Sequence, residues 1–95
     1  MVAVSLGADG LVLAQGATCV HAQPPAVQAR NTVGAGDATV AGMLWALVQG
    51  LPLDEIARRG AACGAAAAMR AGTDFGTYAE VCELAAHVHV ERISA

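Results

Sequence analysis

Apolar residues come in short runs over the first quarter of the chain and recur at helical spacing over the rest. Val2 to Ser5 is a β-branched run ended by Gly7-Ala8-Asp9-Gly10. Leu11 to Ala14 is a second apolar run, Gln15-Gly16 reads as a turn, and Thr18 to His21 as a third strand. Three short strands with glycine-containing turns predict a meander or hairpins. Pro24-Pro25 then predicts an extended segment to about Val33, because proline disfavours helix in the residue before it.

The period changes after Gly34. Val40, Met43, Leu44, Leu47 and Leu51 follow at spacings that predict a helix from Gly36 to about Gln49, closed by Gly50 and Pro52. Trp45 lies near this stripe and reads as packing. A second helix is predicted from near Leu53 to about Arg70, with Gly72 suited to its C-terminal cap. Asp54 and Glu55 suit its positive end and stand four residues before Arg58 and Arg59, the favourable order for ion pairs along a helix. Thr77-Tyr78-Ala79-Glu80 is a capping box that opens a third helix, with Val81, Leu84, Ala85 and Val88 inward. His87 to Arg92 reads as a short terminal strand. The order is strands first, helices after.

Composition narrows the class. The 95 residues are 56% hydrophobic and 14% charged, which excludes a disordered tail. Only 3% are aromatic, so the apolar surface is mostly Ala, Val and Leu, and the helices are expected to pack closely. So small a chain with so thin a core is expected to be a piece of something larger. Net charge is −3 with no basic patch, which argues against a nucleic-acid partner. All five cations are arginine, so neither a P-loop lysine nor a Schiff-base lysine is available. Cys19, Cys63 and Cys82 form no CxxC pair and are expected to be buried, reduced thiols of a cytoplasmic protein. Neither a signal peptide nor a membrane span is expected. His87 and His89 lack a third ligand for a metal, His21 is expected to be solvated at a strand end, and Glu80 to cap rather than catalyse.

The informative chemistry lies in Asn31-Thr32-Val33-Gly34-Ala35-Gly36-Asp37-Ala38-Thr39. Two glycines around a small residue let backbone N–H groups converge on an anion, and the helix that follows adds its positive end. Such a nest is expected to need a positive φ at Gly36. The third glycine of a dinucleotide fingerprint is missing, since Thr39 stands in its place. A carboxylate about 4 Å from a bound pyrophosphate would also cost about 4 kcal/mol at an effective dielectric near 20. Two readings of Asp37 stand on spacing alone: a group acting on an incoming nucleophile, and an ordinary helix N-cap.

The run NTVGAGDATVAG from Asn31 to Gly42 resembles the C-terminal signature of the PfkB, ribokinase-like carbohydrate kinases. Val4-Ser5-Leu6-Gly7-Ala8-Asp9-Gly10 is similar to that family's S/T-L-G-x-x-G turn, and the two motifs stand in the family's order. NTVGAGD after a proline pair looks most like the 1-phosphofructokinase and tagatose-6-phosphate kinase branch. The resemblance implies an α/β chain, the C-terminal portion of a three-layer α/β/α ribokinase-like fold. It covers essentially all of residues 1–95 but only about the C-terminal third of a kinase domain, the nucleotide-binding part. It implies an ATP-dependent, cytoplasmic kinase of a sugar phosphate, inactive as this piece alone, with a homodimer in the complete protein. A ribokinase-, fructokinase- or nucleoside kinase-like member and a non-catalytic nucleotide-binding remnant are the alternatives.

Position by position, the resemblance implies Asp37 as catalytic base and Gly34, Ala35 and Gly36 as an anion hole for the transferring phosphoryl group. It implies ATP contacts from Ser5, Leu6, Gly7, Ala8, Asp9, Gly10, Gly36 and Asp37. It places Ala61, Cys63 and Gly64 on the adenine side of the second helix, with Ala61 and Gly64 as contacts. Mg2+ is implied with the ATP phosphates and no dedicated metal cage. Asn31 stands where the ribokinase branch carries Asp at its monovalent-cation site, which argues against potassium activation. Ala38 replaces the commoner Ser or Thr beside the base.

Overall fold

The computed structural model describes residues 1–27, 30, 33–70 and 77–93. The strands β1 (Val2–Ser5), β2 (Leu11–Gln15) and β3 (Thr18–Gln23) form an antiparallel meander, with a 3-10 turn at Gly7–Asp9 between the first two. Register runs Val4 opposite Val12 and Leu13 opposite Val20. Three helices follow, α1 (Ala35–Val48), α2 (Leu53–Ala68) and α3 (Tyr78–Ala85). The chain then returns to the sheet: β4 (His89–Arg92) pairs antiparallel with β3, Val20 opposite Arg92. The sheet order is therefore the chain order. The terminal strand begins two residues later than the reading from His87, which sits in the turn after α3. The two histidines thus share no strand face.

Period-2 alternation sets the buried face of the sheet. Leu11, Leu13, Val20 and Ala22 are buried under α2, whereas Val12, Ala14, Cys19 and His21 are half-buried on the opposite face. Ile56, Ala57, Ala61 and Ala62 of α2 complete this core, joined by Ala46 of α1 and by Ala85 and Val88 at the end of α3. The described residues thus supply the sheet and the helical layer on one side of it. Helix α2 is central, with α1 and α3 packed on it.

The face that α1 buries differs from its apolar stripe. Ala38, Gly42 and Ala46 are buried, while Val40, Leu44 and Leu47 are about half exposed. The seam selects for small size: a Cβ on Gly42 would stand 2.7 Å from the Arg59 carbonyl oxygen and 2.7 Å from Cys63 Sγ. Only small residues let the two backbones come so close, and close contact maximises dispersion between short side chains.

Charges tie α2 to α3. Arg58 pairs with Glu55 at 2.7 Å, three residues away rather than four. Its Nη1 donates to the carbonyls of Ala85 (3.3 Å) and Val88 (2.8 Å), so a cation sits at the C-terminal end of α3, where the helix dipole favours one. Thr77 caps α3 by accepting from the Glu80 N–H at 3.2 Å, and its hydroxyl donates to Glu80 Oε1 at 3.1 Å. Glu80 also pairs with Arg70. Trp45 is exposed, and its ring stands edge-on to Tyr78 at 6.2 Å with the Arg59 guanidinium over it at 5.7 Å. The three cysteines are half-buried rather than buried. Burial pushes the Cys63 thiol above its usual range, with Arg59 opposing and Cys82 reinforcing the shift.

Candidate functional site

A cleft of about 590 Å³ opens where four parts of the chain meet. One wall is the turn between β1 and β2, with Ser5, Gly7, Ala8, Asp9 and Gly10. Another is the first turn of α1, with Ala35, Gly36 and Thr39, set against Ala61, Gly64, Ala65 and Ala68 of α2. The segment Gln23 to Val27 closes it.

Glycine permits each close approach. Gly10 has φ +94°, and a Cβ there would run into the Ala22 carbonyl oxygen, so the position excludes side chains twice over. Gly64 meets the Thr39 hydroxyl where its own Cβ would be, and that hydroxyl donates to the Ala35 carbonyl at 3.1 Å. Gly64 thus makes room for Thr39, while Ala61, Ala65 and Ala68, with one side-chain carbon each, keep the α2 wall of the cleft shallow. Arg30 N donates to the Ala68 carbonyl at 2.8 Å, tying the segment before α1 to the end of α2.

Gly34 is the N-cap of α1 at φ +84°, ψ −5°, left-handed, and α1 follows right-handed. That alternation of hand makes a concave row of N–H groups. The positive φ falls at Gly34 and not at Gly36, which is helical and has open space where a Cβ would be. The N-cap residue of α1 has no side chain to bond the first N–H groups, and the positive end of the helix dipole lies there. Asp37 stands in this first turn and is exposed.

The structure therefore brings Ser5, Gly7, Ala8, Asp9, Gly10, Ala35, Gly36, Ala61 and Gly64 to one cleft. Gly34, Leu6 and Asp37 border these residues in the chain but do not line its wall, and Cys63 turns its sulfur toward α1. Asn31 and Gly72 lie outside the described residues. The reading missed Leu11, Gln23, Thr39 and Ala65, and also the Pro24-Pro25 wall, whose rigidity was its only signal. His21 is half-buried, and its Nε2 bonds the Asp9 carbonyl at 2.7 Å. Among the described residues no group of three or more His, Cys, Asp or Glu could hold a metal ion, and no helix is long and apolar enough to cross a membrane.

The chain is 57% identical over 58 residues to a 1-phosphofructokinase of Rhodobacter capsulatus, covering 61% of this chain and 18% of that protein. It is 40% identical over 72 residues to the ATP-dependent 6-phosphofructokinase isozyme 2 of Escherichia coli (strain K12), covering 76% and 23%. The crystal structure of phosphofructokinase-2 from Escherichia coli, in complex with substrates and products, superposes with a TM-score of 0.84 at 34% identity, over 88% of this chain and 27% of that one. The chain spans less than a third of the length of each, and its sheet and helices are a part of their ribokinase-like fold. Residues 1–79 match the pfkB family carbohydrate kinase profile, and the chain belongs to that family.

Proposed function

We propose that this chain is the nucleotide-binding part of an ATP-dependent kinase that phosphorylates a hydroxyl of a sugar phosphate, as a 1-phosphofructokinase does. The supporting observation is the cleft itself, where the turn at residues 5–10 and the first turn of α1 meet over the small-residue wall of α2. A relative that shares 57% identity is named 1-phosphofructokinase, and another is named ATP-dependent. The sugar-holding residues and the rest of the domain belong to the length that the relatives carry beyond the matched part.

In this reading the adenine lies against the small-residue wall of α2 at Ala61 and Gly64, and Ser5 to Gly10 border the ribose and phosphates. The N–H groups of Gly34 to Gly36 and the α1 dipole face the transferring phosphoryl group, where fixed donors are worth most. Asp37 takes the proton of the sugar hydroxyl while its oxygen attacks the γ-phosphorus. The bond from that phosphorus to the bridging oxygen breaks, ADP leaves, and the proton rests on Asp37. The exposure of Asp37 suits this role, because a second substrate must reach it. Without a ligand cluster among the described residues, Mg2+ fits no cage here and would arrive on the ATP phosphates.

The test is Asp37→Asn in a complete kinase that carries this chain. We expect kcat to fall about 10²–10⁴-fold, the usual worth of a general base, with ATP affinity nearly unchanged. A variant keeping more than about a third of kcat, far outside the range for a lost base, would overturn the assignment.

A further inference from the structure

We propose that His21 and Gln23 are positioning residues of the nucleotide cleft, holding its turn by two backbone carbonyls. The proposal rests on the nucleotide reading above. On β3, Val20 and Ala22 are buried under α2, so His21 and Gln23 emerge on the opposite face. The turn from Leu6 to Gly10 folds back to meet them. His21 Nε2 lies 2.7 Å from the Asp9 carbonyl oxygen, and Gln23 Nε2 donates to the Ala8 carbonyl at 3.1 Å.

A carbonyl can only accept, and that settles two orientations. His21 must carry its hydrogen on Nε2. Gln23 must turn its NH2 to the turn, which leaves its amide oxygen on the other side. The remaining carbonyls of the turn are taken by backbone donors: Leu6 O by Asp9 N at 3.1 Å, Gly7 O by Gly10 N at 3.0 Å, and Gly10 O by Leu6 N at 2.7 Å. Every carbonyl from Leu6 to Gly10 is thus engaged, two of them by side chains.

Those two bonds matter because the turn is soft. Gly10, at φ +94°, adjoins the peptide of the Asp9 carbonyl and puts little steric barrier in the way of its rotation, and Gly7, at φ +61°, loosens the turn on the other side of Ala8. A rotated peptide would present a carbonyl oxygen to the cleft, where a phosphate is repelled by it. His21 and Gln23 hold both oxygens away from that ligand. Gln23 itself lines the cleft, so the clamp and the wall are one piece.

Gln23→Met and His21→Phe remove the donors at nearly constant size, and His21→Gln keeps one. Amide hydrogen exchange at Asp9 and Gly10 reads the turn, and exchange at Leu13 and Val20 reads the sheet. Each donor loss is expected to weaken ATP binding roughly two- to tenfold, the effect of one net hydrogen bond, and to speed exchange at Asp9 and Gly10 by a similar factor. Exchange at Leu13 and Val20 stays unchanged, and His21→Gln behaves as the unsubstituted protein. Unchanged exchange at Asp9 and Gly10, or fast exchange with unaltered ATP affinity, would overturn the proposal. Should His21→Phe unfold, Gln23→Met alone decides by the same criteria. Failure of the unsubstituted protein to bind ATP would instead sink the nucleotide reading and this proposal with it, an outcome distinct from normal binding with an unaltered turn.

Discussion

Glycine-to-alanine substitution in a helix gains about 0.8–1.0 kcal/mol from backbone entropy wherever the added methyl group meets nothing. Helix α1 offers two glycines that separate this gain from packing. At Gly36 a Cβ meets no atom within 4 Å, so Gly36→Ala should stabilise the fold by as much as about 1 kcal/mol, less if end fraying dilutes the gain. At Gly42 the same methyl would stand 2.7 Å from the Arg59 carbonyl oxygen and 3.0 Å from Cys63 Cβ. The first is backbone within α2, and it cannot step aside as the end of a flexible side chain can. The helices would have to part by several tenths of an ångström, and overpacking of this kind costs about 1–3 kcal/mol. The packing cost exceeds the propensity gain over nearly all of its range, so Gly42→Ala should destabilise by up to roughly 2 kcal/mol, the difference of those two ranges. Urea unfolding followed by Trp45 fluorescence measures both, since that ring on α1 meets Arg59 of α2 and Tyr78 of α3. With a slope of about 1–3 kcal/mol per molar, the two midpoints should differ by roughly 1 M. Equal stabilisation by both substitutions would refute the close seam.

Gly10→Ala should cost about 3 kcal/mol or more from φ strain and the collision with the Ala22 carbonyl, and circular dichroism melts should show a markedly lowered Tm. Thr77→Ala removes the cap that accepts from Glu80 N and should cost about 1 kcal/mol in the same melts. The Cys63 thiol is raised above 9.0 by burial, so the folded state holds its proton more tightly than the unfolded chain. That stability is fully present below pH 9.0 and is lost as pH climbs through the raised value. Urea midpoints should therefore fall above pH 9.0, less steeply in Cys63→Ala, and an undiminished slope in that variant would exclude the thiol as its source.

The amino-acid sequence alone determined the local elements. The runs Val2–Ser5, Leu11–Ala14 and Thr18–His21 are strands because β-branched and apolar residues alternate between glycine turns, and all three form within two residues of expectation. Thr77 and Glu80 cap α3 because the signal and the contact are three residues apart. The family was legible for a similar reason, since its two motifs are short and contiguous. Tertiary structure decided what lies beyond the reach of one element. The apolar stripe of α1 names Val40, Leu44 and Leu47, yet α2 accepts Ala38, Gly42 and Ala46, because which face is buried depends on the size of what approaches it. The pairing of β4 with β3 depends on the path of three intervening helices. His21 and Gln23 read as ordinary polar residues until the turn at residues 6–10 folds over their face of the sheet. The cleft is likewise a product of packing: Ser5, Gly36 and Gly64 have no local signal in common, and only the docking of α1 and α2 against the sheet brings their backbones around one space.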